Sequence, residues 1–181
     1  LSDFSIDSDK WQVADLAYPN PGNPPTPIAF YTPSFEGDTG NPPGDIVMSD
    51  PSANAWYWYA PKKFLKNKSA AYGGSLQFDL SVTGSGTYFV EEDVILVGNG
   101  LTIVAALPPP PVLAFTHSTV PLGTPTWEVG SRTGAVATAK EIKKVLKGLT
   151  DLYIRGEHRN QLDDFGRLDN VLITRPGACP P

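Results

Sequence analysis

Cysteine is almost missing from these 181 residues. Cys179 stands alone, so the chain closes no disulfide within itself and builds no multi-cysteine zinc site. Histidine is nearly as scarce, with only His117 and His158, which leaves little basis for a histidine-rich metal centre. Charged residues make up 18%, below the roughly one quarter of an ordinary domain. No apolar run approaches the roughly 18 residues of a membrane helix; the longest, residues 101–107, is strand-sized. A formal net charge of −5 and an isoelectric point near 4.9 argue against nucleic acid as a partner. Catalytic signatures are missing too: there is no G-x-S-x-G elbow, no H-E-x-x-H and no phosphate-binding G-x-x-x-x-G-K. Gly98-Asn99-Gly100 would open a dinucleotide fingerprint, but Ile103 holds the place of its third glycine and the setting is strand–turn–strand. Neither histidine has a sequence neighbour that would activate a nucleophile.

Proline and glycine are plentiful, at 19 and 17 residues, proline being about twice its usual share. The chain is 40% hydrophobic, enough for one domain that buries roughly 70% of its unfolded surface, and intrinsic disorder does not fit such a composition. It opens at Leu1 with neither an initiator Met nor a charged-then-apolar leader, so the expectation is either a removed signal segment or a trimmed sequence. A secreted, extracellular protein fits the first. Charge is uneven: residues 1–60 carry Lys10 against eight acids, and the remainder carries thirteen bases against eleven acids. That asymmetry fits head-to-tail self-association into a homo-oligomer or fibre, and equally a solvated surface.

Residues 18–43 hold eight prolines, which remove ladder donors and fix φ, so a long surface loop pinned by Phe30, Tyr31 and Phe35 is predicted. Residues 108–111 form a second proline punctuator, either a rigid turn or a polyproline ligand. Strand patterns recur at 46–48, 56–60, 75–82, 94–97, 101–107, 112–116, 126–129, 152–155 and 168–173, short and bounded by turn residues. The segment 94–103 reads as a hairpin turning at Gly98-Asn99-Gly100. These features predict an all-β, antiparallel sandwich. One short helix is predicted near 138–148. Thr138 and Glu141 form a capping box, Ile142, Val145, Leu146 and Leu149 share one face, four lysines take the other, and Gly148 suits a left-handed cap. The lysine face fits a solvated surface or an anionic polymer.

Glu91-Glu92-Asp93 and Asp163-Asp164 are paired acids of the kind glycoside hydrolysis uses, yet adjacent strand residues face opposite ways, so turn chemistry accounts for both. Asp3, Asp7 and Asp9 crowd the start and Asp169 opens the last strand. A structural Ca²⁺ held by Asp3, Asp7 and Asp169 is one reading of that placement, plain turn capping the other. Trp56-Tyr57-Trp58-Tyr59 alternates two tryptophans and two tyrosines across a strand. One pair faces the core; Trp58, or Tyr57 with Tyr59, is the candidate platform for stacking on a sugar, the outward pair needing a cover. Asn67-Lys68-Ser69 is an N-glycosylation sequon in a polar turn, meaningful if the source is eukaryotic.

Trp58-Tyr59-Ala60-Pro61-Lys62-Lys63-Phe64-Leu65, followed by Ala71-Tyr72-Gly73-Gly74-Ser75-Leu76-Gln77-Phe78-Asp79-Leu80, resembles the laminin IV type A (laminin B) domain. The stretch 93–101, Trp127, the helix, 151–155 and 168–171 match later landmarks in order, so the resemblance covers about residues 44–174. Residues 4–11 resemble the opening of free-standing relatives. The resemblance implies one domain over 1–181, a jelly-roll sandwich similar to carbohydrate-binding modules, extracellular, with no catalysis and no required cofactor, ending in a proline-rich tail at 175–181. Three function classes follow: a structural or adhesive module of a matrix or surface layer, a carbohydrate-binding module with a polysaccharide partner, and, most remote, a glycan-acting enzyme. Fold-level analogy cannot choose among them.

Overall fold

A computed structural model describes residues 1–18, 21–108, 114–160 and 164–177. The period-2 segments pair into two antiparallel sheets. The first, with seven strands, runs β10 (Glu128–Val129), β8 (Leu101–Ala105), β7 (Val94–Gly98), β11 (Leu149–Arg155), β5 (Ala55–Tyr59), β1 (Gln12–Leu16), β2 (Ala29–Tyr31). The second, with five, runs β3 (Ser34–Gly40), β4 (Pro43–Ser49), β12 (Phe165–Ile173), β6 (Ser75–Thr83), β9 (Thr116–Pro121). Side-chain alternation turns one face of each sheet inward. Val13, Trp56, Trp58, Leu96 and Ile154 from one sheet meet Ile46, Leu76, Phe78, Leu80 and Leu168 from the other, all buried in one apolar core. The jelly-roll sandwich is as the sequence implied.

The helix α1 (Ala139–Lys147) is closed by the expected capping box. The Glu141 carboxylate accepts from the Thr138 N–H at 2.8 Å, and Thr138 Oγ1 accepts from the Glu141 N–H. Ile142, Val145 and Leu146 are buried with Leu149, Leu152 and Ile154, and α1 rests on the β7–β8 hairpin. That hairpin turns through Asn99 and Gly100, both at positive φ.

Five expectations need correction. The proline-rich segment 18–43 is not all loop: β2 and β3 lie within it, both at sheet edges, where missing donors are tolerated. Of its three rings Tyr31 packs against the core, while Phe30 and Phe35 are exposed. β1 escaped notice because both its faces are covered, so Val13, Ala14, Asp15 and Leu16 show no alternation of burial. The strand expected at 112–116 lies at Thr116–Pro121, with residues 112 and 113 outside the described residues. Gly148 sits at φ −142° rather than left-handed; the Asn99 side chain crowds the space a Cβ would fill. Gly73 takes a positive φ of 83°, and Gly74 allows close approach, since a Cβ there would strike the Thr174 carbonyl.

Candidate functional site

The densest polar assembly grows from the end of β11. Register pairs Arg155 with Tyr57 on the outer face of the seven-stranded sheet. The Arg155 guanidinium lies 4.3 Å from the Phe89 ring centroid and donates to the Phe89 carbonyl at 2.9 Å, to the Glu157 carbonyl at 2.5 Å and to Asp93 Oδ1 at 3.3 Å. Asp93 Oδ2 accepts from the Leu107 N–H at 2.7 Å, and Glu157 Oε2 from the Trp56 N–H at 3.2 Å. Arg132 closes the other side, donating to the Glu91 carbonyl at 2.7 Å and, through its N–H, to Glu92 Oε1. Glu91, Glu92 and Asp93 are thus buried network members rather than surface turn acids. The reading of them as turn residues fails because burial depends on the covering segment, which sequence spacing does not reveal.

Burial sets the protonation here. It pushes Glu91 up to about 7, helped by its hydrogen bond with Glu92, and Glu157 up to about 8, helped by Asp50 and Asp164. The same burial holds the His158 imidazole neutral, its pKa well below the usual value. The Tyr57 hydroxyl is fully buried and, among the described residues, finds no partner. Glu157 borders a hollow of 260 Å³ with Asp50, Asn54, Phe89 and Tyr18, smaller than the roughly 300–1,000 Å³ of a ligand pocket.

A second assembly lies on the outer face of the five-stranded sheet, where β12 bulges after Asp169 and Asn170 takes a φ of 52°. Asn170 Nδ2 donates to Asp79 Oδ2 at 2.8 Å, and His117 Nδ1 lies 2.7 Å from Asp79 Oδ1. Asp169 accepts the N–H groups of Asn41 and Asn170 at 2.8 and 2.6 Å; burial nonetheless raises it to about 6. Arg167 bridges Glu36 and Asp45 at 2.8 and 2.9 Å, and its hydrogen bond holds Glu36 below the usual carboxylate range. Above Asp79 and His117 opens a cleft of 340 Å³, lined also by Gln77 and Leu172.

The residues singled out in the sequence fall as follows. Asp3 Oδ1 accepts from Ser5, Asp7 Oδ1 accepts from the Asp9 N–H at 2.7 Å, and Asp169 is buried among Asn41, Asn170 and Asp79. The three do not converge, and the described residues contain no cluster of three or more acidic, His or Cys groups that would hold a metal. Backbone does the joining instead: Ser2 and Val171 exchange two hydrogen bonds of 2.8 Å. Tyr57 and Trp58 are 0% exposed, so neither can stack on a ligand. The tryptophan pair faces the core, and the tyrosines face out beneath a cover from their own chain. Phe30 covers Tyr59 at 5.3 Å, while Tyr18 stacks on Phe89 at 5.1 Å. Tyr59 is half-buried, its hydroxyl donating to Asp151 at 2.9 Å. Asn67 is exposed in a turn, its Oδ1 accepting from the Ser69 N–H. Asp163, Cys179 and residues 109–113 lie outside the described residues. Sequence reasoning missed Arg155, Glu157 and the Asp79–His117 pair, which meet only through strand register.

Comparisons with known proteins bear on this fold. The model of the family Laminin B (Domain IV) matches residues 57–175. The chain is 33% identical over 146 residues to laminin subunit gamma-2 of Equus caballus, covering 76% of this chain and 12% of that protein. It is 33% identical over 106 residues to the basement membrane proteoglycan of Caenorhabditis elegans, covering 58% of this chain and 3% of that one. It therefore spans only a small part of these relatives. Among solved structures, the L4b domain of human laminin alpha-2 superposes with a TM-score of 0.71 at 17% identity over 88% of both chains. An exo-beta-agarase superposes at 0.60 and 16% identity, over all of this chain and 25% of that one.

Proposed function

Because the chain belongs to the Laminin B (Domain IV) family, we propose that it serves as a non-catalytic structural and adhesive module of an extracellular matrix. Its relatives are named for laminins and a basement membrane, and, among the described residues, no helix is long and apolar enough to cross a membrane. One observation carries the reading. The polar network at the end of β11 is sealed: Glu91, Asp93, Arg155, Glu157, His158, Tyr57 and both tryptophans of β5 are each at most 6% exposed, while the exposed His117 is held by Asp79 at 2.7 Å. Their hydrogen bonds tie the segments 85–93 and 156–160 to the sheet, which is work done for rigidity. Of the aromatic platform Tyr57 and Trp58 are sealed and Tyr59 alone reaches a groove, while the cleft beside Asp79 has no aromatic wall beyond His117. Tyr18 and Phe30 each contact a ring of their own chain, Phe89 and Tyr59, and remain about half exposed.

The test is catalytic inertness with structural dependence. The native chain, incubated with agarose, cellulose and chitin oligosaccharides, should release no reducing ends. Glu157→Gln should shift the melting temperature instead. Reducing ends released by the native chain and lost in Glu157→Gln would overturn the reading.

A further inference from the structure

The chain contains nine lysines, and the fold makes neighbours of the segments that carry them. They come from three segments: Lys10, the stretch holding Lys62, Lys63, Lys66 and Lys68, and α1 with Lys140, Lys143, Lys144 and Lys147. Backbone contacts make these segments neighbours. Lys66 and Leu149 exchange N–H···O bonds of 2.7 and 3.0 Å, and the Lys68 N–H donates to the Leu146 carbonyl at 2.7 Å. Lys143 lies 4.4 Å from the Tyr72 ring centroid, and Lys63 pairs with Asp9 beside Lys10.

Arginine and lysine divide the labour. Arg132, Arg155, Arg159 and Arg167 all hydrogen-bond into the fold. Among the described residues Lys63 is the one lysine in an ion pair, and seven of the other eight are exposed, Lys68 being partly buried. Folding has no use for so many unpaired like charges held together. Nearby acids are occupied: Glu141 caps the helix, Asp151 accepts from Tyr59 and Thr150, and Asp3 and Asp7 close turns.

Lys10, Lys62 and Lys63 line a groove of 880 Å³ whose walls also include Gln12, Thr32, Tyr59 and Thr150. A hollow of 310 Å³ beyond it adds Lys68 and Arg175. Amide, hydroxyl and ring groups beside exposed ammonium groups suit a chain that is both polyhydroxylated and anionic. The acids Glu91, Glu92, Asp93 and Glu157 of a second copy do not fit, because they are buried within their own fold.

We propose that this lysine-bearing surface binds an extended anionic polysaccharide, whose sulfate or carboxylate groups meet Lys10, Lys62, Lys66, Lys140, Lys144 and Lys147. The inference rests on the reading of the chain as a matrix module and gives that module a ligand class. Exposed charges are screened over about 8 Å at physiological salt and about 3 Å at 1 M, so binding weakens steeply with salt.

The test uses the native chain on beads of dextran sulfate, alginate and neutral dextran. Retention on one or both anionic beads but not on neutral dextran is expected, the pair separating sulfate from carboxylate recognition. Lys62→Gln/Lys66→Gln and Lys140→Gln/Lys144→Gln/Lys147→Gln should each weaken binding about tenfold with an unchanged melting temperature, and the matching Lys→Arg sets should retain it. No retention at low salt, retention untouched by these substitutions, or equal retention on poly-glutamate or anionic phospholipid vesicles would overturn it. A chain that fails here yet releases no reducing ends loses only its ligand assignment.

Discussion

Replacing Arg155 by Met keeps most of the side chain's volume and removes its charge and five donors. Three acceptors lose their partner at once: the carbonyls of Phe89 and Glu157, and one oxygen of Asp93. Removing one member of a buried pair costs about 3–5 kcal/mol, and an orphaned buried acceptor about 1–3 kcal/mol. The two do not simply add. Burial already pushes the Asp93 carboxyl up, which lessens the cost of losing its cation, and its other oxygen keeps the Leu107 N–H. The working figure is therefore about 3 kcal/mol at neutral pH, at the lower end of the pair range. Urea unfolding followed by tryptophan fluorescence reads it, because all four tryptophans are buried and the slope reports any change in exposed surface. Adding Asp93→Asn to Arg155→Met removes the stranded carboxyl and should restore part of the loss. A loss below about 1 kcal/mol for Arg155→Met would refute the claim that this guanidinium ties the covering segment to the sheet.

Other outcomes follow from the same geometry. Leu146→Ala opens a cavity between α1 and the core and should cost about 2–5 kcal/mol in the same assay; a cost near zero would mean the helix is not seated. Glu91 and Glu157, with raised pKa values of about 7 and 8, bind more protons folded than unfolded, so their stabilisation is complete below about pH 4.5 and lost through pH 7–8. His158, held neutral, acts oppositely but only below its unfolded value near 6.5. Between pH 6.5 and 8.5 the glutamates decide, and the melting temperature should fall; Glu157→Gln should flatten that slope, and a native chain that melts higher at pH 8.5 would contradict the sign. Tyr57→Phe removes a buried hydroxyl that has no partner among the described residues, and should be neutral or stabilising by differential scanning calorimetry. A destabilised variant would reveal a partner for that hydroxyl.

Much of the fold could be read from residue patterns because those patterns are local. Thr138 to Leu149 carries its cap, its apolar stripe and its lysine face within one window, and Asn99-Gly100 supplies a turn that only left-handed residues make well. β1 and the edge strands β2 and β3 stayed hidden for a different reason. Burial on two sides erases alternation in Val13–Leu16, and proline disguises an edge strand as a loop. The polar assemblies were the least readable. Arg155 meets Tyr57 through strand register and Phe89 through a covering segment, while Asp79 meets His117 across the β6–β9 ladder. Such encounters join residues 38 to 98 positions apart, and no spacing rule links them. The aromatic run showed its alternation correctly, but which pair would be covered depended on Phe30 and Phe89, far away in the chain.

The Ser2–Val171 bridge carries a mechanical consequence. Residue 1 and residues 173–175 border the same hollow, so the chain reaches and leaves the sandwich at one place. Tension applied through these two points would not run along the strands. It would pull directly across a two-bond clasp, opening it like a zipper while the sheets behind carry no load. Force on these two points is therefore met by two hydrogen bonds in series, and the packed core of the sandwich feels it only after both have parted.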